Sequence, residues 1–444
     1  MTLPGVGESI TTYIEGMDDE GRGRGVLKGN DLLIDAAVRG ALPGDTVTAI
    51  VERVFASRQL LVCRAIQYHD KGPAHVDRIC PHLGPCPACP LHEVDPSLAL
   101  EVKKSRIERA LQDQNIDLDI DDVLPHPEKF GYRQKVKLMV GGQTGDILIG
   151  VYVPYSHKLV SAHACPYLHA SARAALAPLL QTLNAHSFEV DTPLTAGLRA
   201  VILRVGTEGV AVILVNRKAA SASQFMSLQN LVERGILYSV CERINEEETN
   251  SILGGITHRR HGPELITPLE GGIPVDADSF CQTDPAQALH MYRIVAEYLT
   301  KDTTDGWFID GYAGVGGFSK ALLALGAKKI VAVEQAPACL ASLHQLNVRT
   351  YLKPMEEITS ILPSITPLNG MVIDPPKKGL MQQAEPLAKL SVPKVVLVSC
   401  DPDAMAKDLK VFLQNNYEVD RILPVDFFGG TPAIETIVFM RKKS

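Results

Sequence analysis

The chain has 444 residues, a formal net charge of −7, 45% hydrophobic residues and 21% charged residues. That length predicts two or three domains. The composition is that of a folded soluble protein, and the acidic balance argues against a general nucleic-acid binder, so any such contact must be a local basic patch. Candidate patches are Arg22 with Arg24, Arg133 with Lys135 and Lys137, Arg259-Arg260, and Lys377-Lys378. No apolar run approaches the ~18 residues of a membrane span. The N-terminus lacks the basic-then-apolar pattern of a signal peptide, so a cytoplasmic chain without a membrane partner is expected.

In chain order, residues 1–66 read as a small β domain, with strands at 11–14, 32–34 and 46–51. Gly21-Arg-Gly-Arg-Gly25 and Ala41-Leu-Pro-Gly-Asp45 punctuate them, a pattern of short strands that suggests a small barrel. Residues 67–98 are rich in Pro and Cys and look held by a ligand rather than by a core. A helix follows at 99–115, then strands at 135–139, 147–153, 200–205 and 210–215, with helices at 171–184 and 221–234. Residues 271–444 alternate strands (308–310, 329–334, 371–374, 395–399) with helices (317–325, 337–346, 403–414), and a last strand lies at 436–440. Such alternation predicts a doubly wound α/β domain.

Three apolar runs of this last region end in chemistry. Asp310-x-x-x-Gly314-x-Gly316 sits between a strand and a helix, where backbone amides approach a ligand closely. Glu334 ends the next strand, the usual place of an acid that binds ribose hydroxyls. The loop is not Gly-x-Gly-x-x-Gly, and no Gly-Lys-Ser/Thr follows. S-adenosylmethionine therefore fits better than a dinucleotide or nucleoside triphosphate, and Asp374-Pro-Pro adds the look of a class I methyltransferase.

Cys400 closes the third run, and Lys377 or the helix N-terminus at 403 is expected to lower its pKa. Methylation of nitrogen or oxygen needs no thiol. Methylation of pyrimidine C5 does, because a thiolate must add to C6 first and a base must later remove the C5 proton. Glu435 is the candidate base, its alternative reading being a surface acid before the last strand.

Of nine cysteines, an odd number that argues against a disulfide framework, four form a second set. Cys80, Cys86 and Cys89 have the spacing Cys-x5-Cys-x2-Cys, and Cys165 precedes Pro166. Four thiolates suit zinc or an iron–sulfur cluster. The remote Cys before Pro tilts the reading to [4Fe–4S], while His82 and His92 keep zinc open. Cys241, Cys281 and Cys339 are read as small buried apolar residues.

Taken together, these motifs resemble the RNA (uracil-5-)-methyltransferase family, in its iron–sulfur branch with an N-terminal TRAM domain, typified by 23S ribosomal RNA enzymes. Tyr132-Arg133-x-Lys135 and Asn245…Asn250-x-Ile-Leu-Gly254 resemble central motifs, Phe280-x-Gln282 a cofactor motif and Ser399-Cys400-Asp-Pro402 the nucleophile motif. The resemblance implies an OB-type, RNA-binding TRAM barrel at 1–66, an α+β central domain with the cluster at 67–270, and a class I methyltransferase domain at 271–444. It implies cofactor contacts at Gln282, Tyr312, Glu334 and Asp374, the nucleophile Cys400, the base Glu435, and cluster ligands Cys80, Cys86, Cys89 and Cys165.

The expected reaction is transfer of a methyl group from S-adenosylmethionine to C5 of a uridine through a covalent Cys400 adduct. Ribosomal 23S RNA is the first target, the transfer RNA T-loop the second, and the chain is expected to act as a monomer. Departures from the family pattern are Asp284 for Asn, Gly317 for Asn, Lys377 for Arg, Lys353-Pro354 for Gly-Asp, and Gly429 and Ala433 for Pro and His. They leave a catalytically silent RNA-binding protein with a structural cluster as the alternative. An amino-group methyltransferase is disfavoured by Lys377 and by the Cys400–Glu435 pair.

Overall fold

The computed structural model describes residues 3–28, 33–77, 80–82, 86–128, 130–154, 156, 158–247, 254–268, 272–276, 279, 281–360 and 364–443. Phe280, and Asn250, Ile252 and Leu253 of the central motif, lie outside the described residues.

The first five strands, β1 (Ser9–Met17), β2 (Gly23–Lys28), β3 (Leu33–Arg39), β4 (Thr46–Phe55) and β5 (Leu60–Asp70), close into a barrel of order β1-β2-β3-β5-β4. Every pairing is antiparallel except β3 with β5. Alternation along the strands puts Ile10 and Ile14 of β1, and Val47, Ala49 and Val51 of β4, inside.

Beyond the barrel, Leu91 and Val94 pack on Leu42, tying the Cys-rich stretch to it. Helix α1 (Pro96–Asp113) starts where Asp95 accepts from the amides of Ser97 and Leu98, with Pro96 at the first position. Its Ile107, Ala110 and Leu111 do not join the central sheet that follows in sequence. They pack into the core of the C-terminal sheet with Val395, Leu409 and Phe412.

The central sheet has seven strands in the order β12-β11-β10-β9-β6-β7-β8. They are β6 (Lys135–Gln143), β7 (Asp146–Tyr152), β8 (Leu159–Ser161), β9 (Leu198–Gly206), β10 (Gly209–Asn216), β11 (Ser239–Ile244) and β12 (Ile256–His261). Helices α2 (Ala170–Ala185) and α3 (Ala222–Glu233) cover one face, where Leu179, Leu183 and Leu228 pack on Val201, Leu203 and Val212.

A two-stranded ribbon, β13 (Leu265–Ile266) with β14 (Val275–Asp276), leads to α4 (Pro285–Thr300), a helix that the periodicity reading omits. The strands that follow are β15 (Trp307–Gly311), β16 (Lys329–Glu334), β17 (Arg349–Leu352), β18 (Leu368–Ile373), β19 (Lys394–Ser399), β20 (Tyr417–Val425) and β21 (Glu435–Lys442). They form a second seven-stranded sheet of order β17-β16-β15-β18-β19-β21-β20, with β21 antiparallel to both neighbours. Helices α5 (Gly317–Ala324), α6 (Leu340–Gln345), α7 (Ala384–Lys389) and α8 (Pro402–Gln414) complete the domain.

The segment expected as one helix at 337–346 opens instead with a tight turn over Pro337–Cys339. In α8, Met405, Leu409 and Phe412 recur at helical spacing and bury one face. Among the described residues no helix is long and apolar enough to cross a membrane.

Candidate active site

Strand order reverses at β15, which pairs with β16 on one side and β18 on the other. A crevice opens outside the strand carboxyl ends at such a point. Tyr312, Glu334, Asp374 and Cys400 each stand at or just past one of these ends.

Tyr312 follows β15 with φ 61°, a left-handed conformation that costs a residue with a side chain about 1–3 kcal/mol. Gly314 follows at φ 52°; its amide donates to Glu334 Oε2 at 2.8 Å, and a Cβ there would face open space. Glu334 Oε1 accepts from the Ala336 amide at 2.6 Å, so this acid braces the loop from the next strand.

Beneath the loop, buried Asp310 accepts from the amide and hydroxyl of Ser319 at 2.8 and 2.7 Å, while its Oδ1 has no hydrogen-bond partner. Burial pushes its carboxyl up to about 7, against the Ser319 bonds and with the charge of Glu334. Asp374 is likewise pushed up to about 7, by burial and then by Asp310. Two carboxyls held this way, one with an orphaned oxygen, form a site that gains from a cationic ligand. A sulfonium with an α-ammonium, the charged end of S-adenosylmethionine, has that chemistry.

Glu435 opens β21, across from Val425, and is 3% exposed, which rules out the surface-acid reading. Burial and the charge of Asp374 push its carboxyl well up. Cys400 is half-buried, and its thiol is pushed up to about 11 by burial, then by the charges of Glu435, Asp374 and Asp401, against Lys377. Lys377 lowers the thiol as expected, but the net shift is upward, so the expected thiolate is not favoured. Asp401 occupies the α8 N-terminus as its cap, accepting from the Ala404 amide at 3.0 Å, and the nearby acids outweigh the lysine. The sequence separates Cys400, Asp374 and Glu435 widely; the sheet brings them within one another's electrostatic reach.

Gln282 lines a cavity of about 320 Å³ between α4 and α5, together with Cys281, Tyr292 and Gly317. Cys281 is thus a half-exposed wall residue and not the buried residue expected, whereas Cys241 and Cys339 are buried.

Tyr292 is a site residue that motif reading passes over. Its ring meets Phe318 edge-on with centroids 4.6 Å apart, and burial together with the charges of Asp374, Asp310 and Glu435 raises its phenol. A Cβ on Gly317 would stand 2.4 Å from that ring, which accounts for glycine where the family pattern has Asn. Asp284 has a similar explanation. It caps α4 through the amides of Ala286 and Gln287, and its other oxygen stands 2.5 Å from Nε2 of buried His126.

At the mouth of the site, Lys377, Lys378, Lys407 and Met381 line a groove of about 730 Å³ that reaches Asp401, the neighbour of Cys400. Asp408 shapes this wall by accepting from the Leu380 amide at 2.8 Å. Of the other basic candidates, Arg22 is engaged by Asp18 and Glu20, and Arg260 by Glu242.

Cys80, Cys86, Cys89 and Cys165 line a separate cavity of about 100 Å³ with His82, His92 and Arg133. Burial pushes the Cys89 thiol up to about 12, Arg133 opposes this, and the other three thiols add to it. Among the described residues no three His, Cys, Asp or Glu side chains form a group that could hold a metal ion. A tetrahedral zinc site would need sulfurs roughly 3.8 Å apart, from its Zn–S distance.

Residues 353–443 match the model of the tRNA (uracil-5-)-methyltransferase family. An RNA methyltransferase of Clostridium tetani, itself described as uncharacterized, is 26% identical over 96% of this chain and 95% of its own. One of Listeria monocytogenes serotype 4b, described likewise, is 27% identical over 98% and 97%. The crystal structure of Pyrococcus abyssi tRNA (uracil-54, C5)-methyltransferase with S-adenosyl-L-homocysteine superposes with a TM-score of 0.76, covering 97% of this chain and 99% of that one at 24% identity. The chain is therefore similar along its whole length to RNA methyltransferases, similar over residues 353–443 to the tRNA (uracil-5-)-methyltransferase family, and shares the fold of the Pyrococcus enzyme.

Proposed function

We propose that the chain methylates C5 of a uridine in RNA through a covalent Cys400 adduct, with Glu435 as the base. The observation that carries this reading is the convergence of one thiol and two raised carboxyls beside a glycine loop. In the first step the Cys400 thiol passes its proton to a neighbouring carboxylate, and the thiolate adds to uracil C6, leaving an enolate at C5. S-adenosylmethionine supplies an electrophilic methyl on a sulfonium. When it is bound, Asp310 and Asp374 would hold its positive end, Gln282 and Tyr312 would contact it, and Glu334 would take the ribose hydroxyls. After transfer Glu435 removes the C5 proton. The C6–S bond then breaks, and Cys400 is released.

The uridine must leave its stack to reach Cys400. Lysines 377, 378 and 407, which line the groove, offer contacts to flanking phosphates. For function we divide the chain into a TRAM-like RNA-binding barrel at 1–66, a central domain at 67–270 and a methyltransferase domain at 271–444. The four cysteines are assigned to a [4Fe–4S] cluster. Four thiols around one small cavity, next to the Arg133 cation, suit an anionic cluster. The chemistry above routes no step through it.

Ribosomal 23S RNA is the first target and the transfer RNA T-loop the second, the Pyrococcus enzyme being described as acting on uracil 54 of transfer RNA. Mapping 5-methyluridine in both RNAs, from cells with and without this protein, tests the reading. Loss of one modified uridine is expected. Unchanged methylation in both RNAs would contradict it.

A further inference from the structure

The nine residues between β20 and β21, Asp426 to Ile434, end at Glu435. Most hairpin loops have two to five residues, and a loop this long needs anchors to hold a side chain still. Its anchors come from outside the methyltransferase sheet. Buried Lys103 of α1 pairs with Asp426 and donates to the Phe428 carbonyl at 3.2 Å. The Tyr132 hydroxyl donates to the Gly429 carbonyl at 2.9 Å. The Leu91 amide donates to the Gly430 carbonyl at 3.0 Å.

The last of these contacts comes from the cysteine pocket. Leu91 lies two residues after Cys89, and the next residue, His92, donates its amide to the Cys89 carbonyl at 3.1 Å. His92 Nδ1 stands 3.0 Å from the hydroxyl of Tyr167, itself two residues after Cys165. That hydroxyl lies against Gly430: a Cβ there would stand 2.1 Å from it, and φ at Gly430 is 75°. The two sequence-distant parts of the cysteine set therefore meet at Gly430, one through a backbone bond and one through a tyrosine. The contact admits only glycine, whereas a Cβ at Gly429 beside it would make ordinary contact with the Tyr132 ring at 3.4 Å.

We propose that Tyr167 is a positioning residue for Glu435, linking the cysteine pocket to the loop that carries the base. This rests on the assignment of Glu435 above. A group bound by all four thiols draws 86–92 and 165–167 together, which clamps Gly430 and fixes the approach of Glu435. With the pocket empty the two segments lose the restraint of that group, the His92–Tyr167 contact remains, and the loop loosens. The link acts on proton removal from C5, after methyl transfer, and leaves the cofactor cradle of Gly314, Glu334 and Asp310 alone.

The test uses the full-length protein purified without oxygen. Tyr167→Phe should keep its iron content and bind S-adenosylhomocysteine within about twofold of wild type. Amide hydrogen exchange over 427–434 should rise about tenfold. A methylated protein–RNA adduct should accumulate on a denaturing gel, with kcat falling more than KM changes. Chelating the iron from wild type should speed exchange in the same segment. Unchanged exchange at 427–434 in both cases, or cofactor affinity falling as far as kcat, overturns the link. Glu435→Gln serves as the control for the base. If it builds up no adduct, the base assignment fails, and the link is then decided by the exchange measurement alone.

Discussion

Cys400 at rest is a poor nucleophile: a thiol pushed up to about 11 is almost wholly protonated at neutral pH. The same acids that hold it there prefer a cation beside them, so the charge of the cofactor and the activation of the thiol are coupled. Below pH about 7 Asp310 and Asp374 take up protons. Binding of S-adenosylmethionine should therefore weaken several-fold from pH 8 to pH 6 and release protons at pH 6, measurable by calorimetry in buffers of different ionisation enthalpy. A pH-independent affinity would contradict this.

The raised folded pKa of Asp374 also fixes a sign for stability. Its contribution is fully present below its ordinary value of 3.8 and is lost as pH rises through about 7. Asp374→Asn should thus raise the melting temperature of the cofactor-free protein at pH 8 more than at pH 5, while cofactor binding is lost. A variant destabilised at pH 8 would contradict the burial argument.

Between α4 and α5 the fit is close enough to be read as a steric rule. A methyl group at 317 meets the Tyr292 ring, so Gly317→Ala should cost about 1–3 kcal/mol by overpacking. Tyr292→Ala should relieve part of that cost in a double-mutant cycle measured by urea unfolding, and strict additivity would show that the two do not touch. The sequence makes the strand ends legible, because apolar runs closing on Asp310, Glu334, Asp374 and Cys400 state both the sheet and its reactive edge. It does not make Tyr292 legible, since a mid-helix tyrosine has no spacing signal until the fold sets it under the glycine loop. The cap Asp284 followed by Pro285 does announce α4, but Gln282 just before it draws attention to the cofactor instead. The sign of the Cys400 shift is hidden for a different reason: Lys377 is near in sequence to Asp374, whereas Glu435 reaches Cys400 only through the antiparallel placement of β21.

At the scale of the molecule, the three units should be separable by measurement. Removing residues 1–70, the barrel through the end of β5, should weaken RNA binding about tenfold or more and leave S-adenosylhomocysteine affinity largely intact. An equal loss of both would show that the barrel shapes the cofactor site. Protein purified without oxygen should be brown and carry about four iron atoms per chain, and stoichiometric zinc without iron would contradict the cluster. The central claim is the order of events at Cys400 and Glu435, and mass analysis of the protein–RNA adduct tests it most directly. With S-adenosylmethionine and substrate RNA, Glu435→Gln should accumulate a covalent adduct whose uridine already carries the methyl group, and Cys400→Ala should form no adduct and no 5-methyluridine. A Cys400→Ala protein that still methylates uridine, or a Glu435→Gln protein that turns over normally, would contradict the account.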